Sequence, residues 1–423
     1  MTELIHPDSS TGPADPQPLP VLPDQVAAEF VTKPRVFPCF DGLRAIAAIF
    51  VLLLHTAWVS GFTKRSSWGL YTSRLEIGVS VFFLISGFLL YRPFAASHVG
   101  DTPGVGTLGY AIRRAARIYP AYWLVLAFFT FVSPRANIYG LHGFVQHASL
   151  TFTYTHIKNP FVVGLPPAWS LVVEVSFYVF LPFYAALIGF LARRWDATGV
   201  ELGGVVALFA IGMVSVIAIA NGLDWPWVAV LPQYIAAFSL GMFLAVFSVR
   251  SWDERTTARL ARIGRPTGLW WTGAVLALAA IPIVLRHDPL SPMNATQAAG
   301  LNVCEMIVGF CIVVPVVLAP LDDGLIRRVL RSRPAVYLGL VSYGIYLWHW
   351  FLLRIVAEWL NWPLYHGNWV VVLALTLPIV VFAASVSWFG LERPVLRFVH
   401  RVAPRSRGPV IRGARDRHAL RDA

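Results

Sequence analysis

Apolar positions in this chain fall in long unbroken runs, not in alternation. Ten runs lie near residues 42–60, 77–94, 119–134, 168–191, 202–220, 226–248, 269–285, 299–320, 336–358 and 368–390. Most approach the roughly 20 apolar residues that a helix needs to cross a hydrocarbon core ~30 Å thick. The second and third runs are short. The dyad alternation in units of ~10 residues that marks membrane β-strands is absent. The pattern predicts an all-α, polytopic membrane protein with about ten transmembrane helices. Residues 1–37 are polar and Pro-rich and are expected to form a disordered tail with no cleavable signal peptide. Residues 38–398 form the transmembrane domain on this reading, and 399–423 a basic tail.

Composition agrees. The 423 residues are 57% apolar and only 13% charged, yet carry a net charge of +12 with a pI near 10.0. No soluble basic domain with interleaved aromatics is visible, so the charge does not point to nucleic acid. It points to sidedness. With the N-terminus inside, 26 of the 34 Lys and Arg residues fall on the cytoplasmic side and 6 outside. Both termini are therefore expected to be cytoplasmic, in a multi-pass plasma-membrane protein. The Arg-rich tail would meet anionic lipid headgroups at about 1 kcal/mol per basic residue. Three cysteines (Cys39, Cys304, Cys311) form neither a disulfide framework nor a metal pattern. Cys304 and Cys311, seven residues apart on one helix, read as core packing.

Low overall charge makes the few ionisable groups within spans readable one by one. Such groups are costly in hydrocarbon and commonly functional. They are His55, Glu174, Glu305 and His349. At ~1.5 Å rise per residue all four come to a similar level in the outer half of the membrane. The plainer alternative is separate structural hydrogen bonds; it is kept for Glu305, and His349 among Trp348, Trp350 and Phe351 is weighed as a packed core histidine. Arg44 and His55, eleven residues apart, return to nearly the same helix face. Asp41 reads as a helix N-cap. Arg113, Arg114 and Arg117 precede the third run, where they are read either as phosphate ligands or as ordinary cytoplasmic anchors. His142, His147 and His156 lie in the longest outside loop and read as surface histidines. The Asn294-Ala295-Thr296 sequon is taken as incidental.

At these residues the chain resembles a known family. Phe40-Asp41-Gly42-Leu43-Arg44 followed by His55 resembles the opening of the acyltransferase type 3 family of bacterial integral-membrane O-acyltransferases. Gly78 to Phe88 is similar to its second-helix motif, Arg114-Ala115-Ala116-Arg117 to its Arg-x-x-Arg motif, and Trp169-Ser170-Leu171 with Glu174 to its Trp-Ser-Leu-x-x-Glu motif. Ser342-Tyr343 with Tyr346-Leu347-x-His349 and Glu392-Arg393-Pro394 resemble its late-helix patterns. The likeness spans about 38–398. It lacks the soluble esterase-like domain of some members, so a stand-alone unit is expected.

The resemblance implies acyl-CoA as cytoplasmic donor substrate, with no permanently bound cofactor. The acceptor it implies is a hydroxyl of a carbohydrate, glycolipid or macrolide-type metabolite, and acetyl is the expected group. Arg44, Arg114 and Arg117 would receive the donor's phosphates or carbonyls. Ser86 and Gly87 would let the thin pantetheine arm pass, or else pack helices closely. His55 is expected to be the base, Glu174 to orient it, and His349 to share the site. Trp169, Ser170, Tyr343 and Tyr346 are candidate substrate contacts. The competing reading is a secondary transporter or flippase, which would show repeat symmetry and paired helix breaks; neither is evident.

Overall fold

The computed structural model describes residues 37–403 apart from 100–101, 103, 155–163, 223–228, 286–293 and 321. The N-terminal tail through residue 36, the basic tail from 404 and His156 lie outside the described residues. Among the described residues, eight helices are long and apolar enough to cross a membrane, or ten if two bent pairs each count as one span. The chain is thus an all-helical, multi-pass membrane protein.

The first span is α1, Phe40–Val59, followed by α2, Ile77–Val99. The third is α3, Thr107–Ala127, continued by a π turn at Phe128–Val132. After a short α4, Gly140–Ala148, come α5, Trp169–Leu191, α6, Ala197–Ala220, and α7, Leu231–Val249. The first bent pair is α8, Glu254–Gly264, and α9, Thr267–Leu285. α10 is Ala295–Leu318, α11 is Leu325–Leu330, and the second bent pair is α12, Arg333–Leu340, with α13, Ser342–Trp359. The last span, α14, Trp369–Ser387, runs through a π turn at Trp388–Glu392 into α15, Arg393–Val402.

The third span begins twelve residues before the apolar run suggests, so Arg113, Arg114 and Arg117 stand inside α3 and not in a loop before it. Arginine and alanine are good helix formers, and a helix whose polar face looks into protein needs no continuous apolar run. The ninth span breaks at Val341, where α12 and α13 meet at 68°. A Cβ on Gly339 would overlap the Asp41 carbonyl, so α12 lies directly against the first turn of α1. α13 then starts afresh at Ser342, whose hydroxyl donates to the Gly339 carbonyl at 2.8 Å.

In hydrocarbon, helix association depends on close packing of small residues. α2 and α7 cross where a Cβ on Gly87 would overlap the Phe238 carbonyl and one on Gly241 would overlap the Leu84 carbonyl. A second fastening is Arg327, fully buried, which donates to the carbonyls of Gly264 and Pro315 at 2.8 Å each and also to Ala319 O. One guanidinium thus ties together the C-terminal carbonyls of α8 and α10. Asp41 lies within the first turn of α1 and is not its N-cap, which is Cys39. Asn294 caps α10 through Gln297 N at 2.9 Å, a structural role for the sequon. His147 is buried and not on the surface; its Nδ1–H donates to Gly143 O at 2.8 Å and its ring stacks on Phe152.

Candidate active site

α1 and α13 bring two of the span histidines into contact. His349 Nε2 lies 3.0 Å from His55 Nδ1. His55 Nδ1 is also 2.9 Å from Val51 O, one turn back on α1, and His349 Nδ1 is 2.7 Å from Tyr346 O. A carbonyl only accepts, so both Nδ1 atoms carry hydrogen. His349 Nε2 is then a lone pair, receiving the His55 Nδ1–H that Val51 O shares. It follows from this network that the neutral His55 ring keeps its free lone pair on Nε2. His349 is 1% exposed, sealed within the bundle, while His55 is half-buried with Trp350 edge-on at 5.2 Å.

A cavity of about 390 Å³ lies beside this pair, walled by α1, α2, α3, α5 and α13. Arg44, Arg114 and Arg117 line it, as do Ser86 and Glu174, and Ser170, Tyr178, Ser342, Tyr343 and Tyr346 belong to the polar part of its wall. Tyr346 connects cavity and histidines: its ring lines the cavity and its carbonyl holds His349. Its hydroxyl donates to Pro167 O and accepts from Ser170 Oγ, both at 2.7 Å. Tyr343 Oη donates to Ile118 O at 2.8 Å, tying α13 to α3.

The charge in this cavity is mostly positive. Arg44 is paired with Asp41 at 3.3 Å, one turn away. Arg117 has Glu392 at 3.8 Å, set there by the π turn, and lies over the rings of Tyr343 and Trp388. Arg114 lies over Tyr110, and its buried Nε has no hydrogen-bond partner among the described residues. Glu174 accepts at Oε1 from Ser86 Oγ at 3.0 Å and from Tyr178 Oη at 2.6 Å. Three guanidiniums around one cavity suit an anionic ligand.

Of the residues expected to contact donor or acceptor or to act as base, four are not in the cavity wall. His55 and His349 are absent from the lining, and the pair reaches it through the bond from His349 to Tyr346 O. Gly87 turns away, one residue and ~100° round the helix from Ser86, into the contact with α7. Trp169 stacks near Tyr234 at 5.1 Å. The expected common level does not become one cluster: Glu174 bonds Ser86 and Tyr178, and Glu305 takes the Ser80 hydroxyl at 2.7 Å. His55 Nδ1 faces Val51 O and His349 Nε2, and among the described residues it has no hydrogen bond to Glu174. Sequence reasoning passed over Tyr178, signalled only by its i+4 spacing from Glu174, and gave Glu392 only as a motif. It also missed Glu201, fully buried, which takes hydrogen bonds from Tyr91 and, at 2.6 Å, from His98.

Comparison with known proteins follows the same lines. The model of the acyltransferase domain family matches residues 37–388. The chain belongs to this family, and it is a membrane acyltransferase. Similar proteins include nodulation protein 10 of Rhizobium leguminosarum bv. viciae, 24% identical over 85% of this chain and 93% of its own length. Acyltransferase MdmB of Streptomyces mycarofaciens is 27% identical over 89% of this chain and 96% of its own. O-acetyltransferase OatA of Staphylococcus aureus is 24% identical over 87% of this chain but 58% of its own length. No solved structure matches. Family membership favours the enzymatic reading over the transporter one.

Proposed function

We propose that the protein transfers an acyl group, acetyl in the first instance, from acyl-CoA to a hydroxyl of a carbohydrate, glycolipid or macrolide-type acceptor. The observation that carries this reading is the His55–His349 pair beside a cavity lined by three arginines. An alcohol is a poor nucleophile at neutral pH until a base takes its proton, and an imidazole lone pair suits that role. His55 Nε2 accepts the acceptor's hydroxyl proton as its oxygen attacks the thioester carbonyl. The tetrahedral oxyanion collapses, the C–S bond breaks, and the proton on His55 passes to the leaving thiolate. Charge on the ring during attack is shared through Nδ1–H with His349 Nε2, which keeps the reactive lone pair on Nε2. This parallels the orienting role of the carboxylate in a hydrolase triad, with a neutral ring in its place.

Arg44, Arg114 and Arg117 fit the donor's phosphates, with Ser86 beside the passage of the pantetheine arm. The excess of basic residues on one side of the spans supports a cytoplasmic position for both termini, in a plasma membrane. The name of OatA, an O-acetyltransferase, supports oxygen as the acceptor atom and acetyl as the group.

Membranes carrying His55→Ala at wild-type protein level are expected to lose at least about 10²-fold in transfer from labelled acetyl-CoA. Near-wild-type transfer by this variant would overturn the base assignment. Arg114→Gln with Arg117→Gln should raise the donor KM and leave the acceptor KM unchanged. Comparing lipids and glycans of a deletion strain by mass names the acceptor: one species loses one acyl mass.

A further inference from the structure

Beside the central cavity lies a groove of about 610 Å³ between α3 and α5. Its walls are mostly apolar, including Ala111, Val175 and Val179, with Phe183 and Ala186 at one end. Val179 is 61% and Phe183 73% exposed, so this wall faces the hydrocarbon of the bilayer. Three residues, Arg114, Ile118 and Tyr178, line both the groove and the central cavity. They form a thin partition, which the Tyr178–Glu174 hydrogen bond holds in place.

Among its polar groups, two are buried without a partner among the described residues. Tyr110, 6% exposed, lines the groove but not the cavity, and its hydroxyl is buried with no hydrogen-bond partner among the described residues. Arg114 Nε is in the same condition, and its guanidinium lies 5.9 Å from the Tyr110 ring centroid. A buried donor left unsatisfied is costly, so two neighbouring ones favour a shared acceptor. A phosphate oxygen bridging them satisfies both, and an alkyl chain attached to that phosphate fills the trough beyond.

We infer that the α3/α5 groove binds a phosphate-headed membrane lipid, with its phosphate on Tyr110 Oη and Arg114 near the start of α3 and one alkyl chain along Ala115, Val175 and Val179 toward the middle of the span. The donor's own acyl tail is a poorer fit. The groove meets the cavity at Arg114, Ile118 and Tyr178, and neither His55 nor His349 lines it. A tail leaves the thioester carbon away from CoA, and so departs from the histidine end, not the arginine end. Sharing Arg114 makes the bound lipid a modulator of donor binding. The inference does not depend on the acceptor.

Native mass spectrometry of the full-length protein in mild detergent tests it, with phosphatidylglycerol and a diacylglycerol of the same chains as probes. The wild type should retain one phosphatidylglycerol at least about tenfold better than the diacylglycerol, equivalent to ~1.4 kcal/mol. Tyr110→Phe with Arg114→Gln should bring phosphatidylglycerol down to the diacylglycerol level. Ala115→Trp with Val179→Trp should remove both adducts, and the milder Ala115→Leu, checked for a monodisperse elution peak, should reduce them. Equal retention of the two lipids, or undiminished retention by the groove-filled variants, overturns the proposal. So does displacement of the lipid by palmitoyl-CoA but not by CoA, which would assign the groove to the donor's chain. Because the adduct is read without turnover, failure here leaves the transfer mechanism untouched, and failure of transfer leaves the lipid site untouched.

Discussion

At the scale of the residue, the decisive atoms are two imidazole nitrogens 3.0 Å apart. His55 was marked in the sequence because a titratable group in an apolar run has to be explained. His349 was marked too, but Glu174, not His349, was expected to orient His55. Glu174 and His349 both lay at a suitable depth, and depth along a helix axis does not give the direction in which a side chain points. On the proposed mechanism His349 is a positioning residue: it touches no reacting atom but fixes which His55 nitrogen is free. His349→Gln keeps an acceptor, Oε1, for His55 Nδ1–H, whereas His349→Phe removes it. The Phe variant should lose about 10²-fold in kcat and the Gln variant at least tenfold less, with donor KM unchanged in both. Equal losses in the two variants, measured in membranes at matched protein level, would reduce His349 to a packing role.

At the scale of the element, the site depends on where helices break and where they touch. The 68° bend between α12 and α13 allows Tyr343, Tyr346 and His349 to stand on successive turns of one helix flank, beside α1 and α3. No proline marks that bend; Pro334 sits at the start of α12, and Val341 is an ordinary residue. The sequence showed one apolar run of 23 residues there, from 336 to 358, with no reason to divide it. The start of α3 was hidden for the opposite reason, because three arginines interrupted apolarity without interrupting the helix. The small-residue contact between α2 and α7 carries a direct test. Gly241→Leu puts a side chain into the Leu84 carbonyl and the start of Phe88. Overpacking of this kind costs about 1–3 kcal/mol, so the detergent-solubilised variant should melt several degrees below wild type. Gly268→Leu, where a Cβ meets nothing within 4 Å, is the matched control and should melt with wild type.

At the scale of the whole molecule, the number and class of spans were legible because the bilayer accepts few solutions. Backbone polar groups must pair within each span, so ~20 apolar residues in a run read as a helix almost regardless of context. Sidedness is likewise a sequence property, since it depends on which loops carry basic residues and not on packing. The 26-to-6 partition predicts that tags at both termini are reached from the cytoplasm only. Cysteines placed near residue 66, in the loop after α1, should react with an impermeant maleimide in intact cells, and cysteines near residue 252, after α7, should not. Labelling at 252 without labelling at 66 would reverse the orientation, and with it the side from which the donor arrives.

What the sequence determined by itself, then, is the membrane class, the approximate spans, the family, and a short set of residues that had to be explained. These follow from local composition and from motifs that survive without coordinates. The tertiary structure alone decided the partnerships: His55 with His349, Arg117 with Glu392, and Glu174 with Ser86 and Tyr178. It also decided that Ser86 faces a cavity while Gly87 faces a helix, and that Arg114 stands between the cavity and the groove. Such pairings join residues as far apart as 294 positions. They depend on the rotation of each helix about its axis, which hydropathy constrains only weakly once a span is apolar on every side.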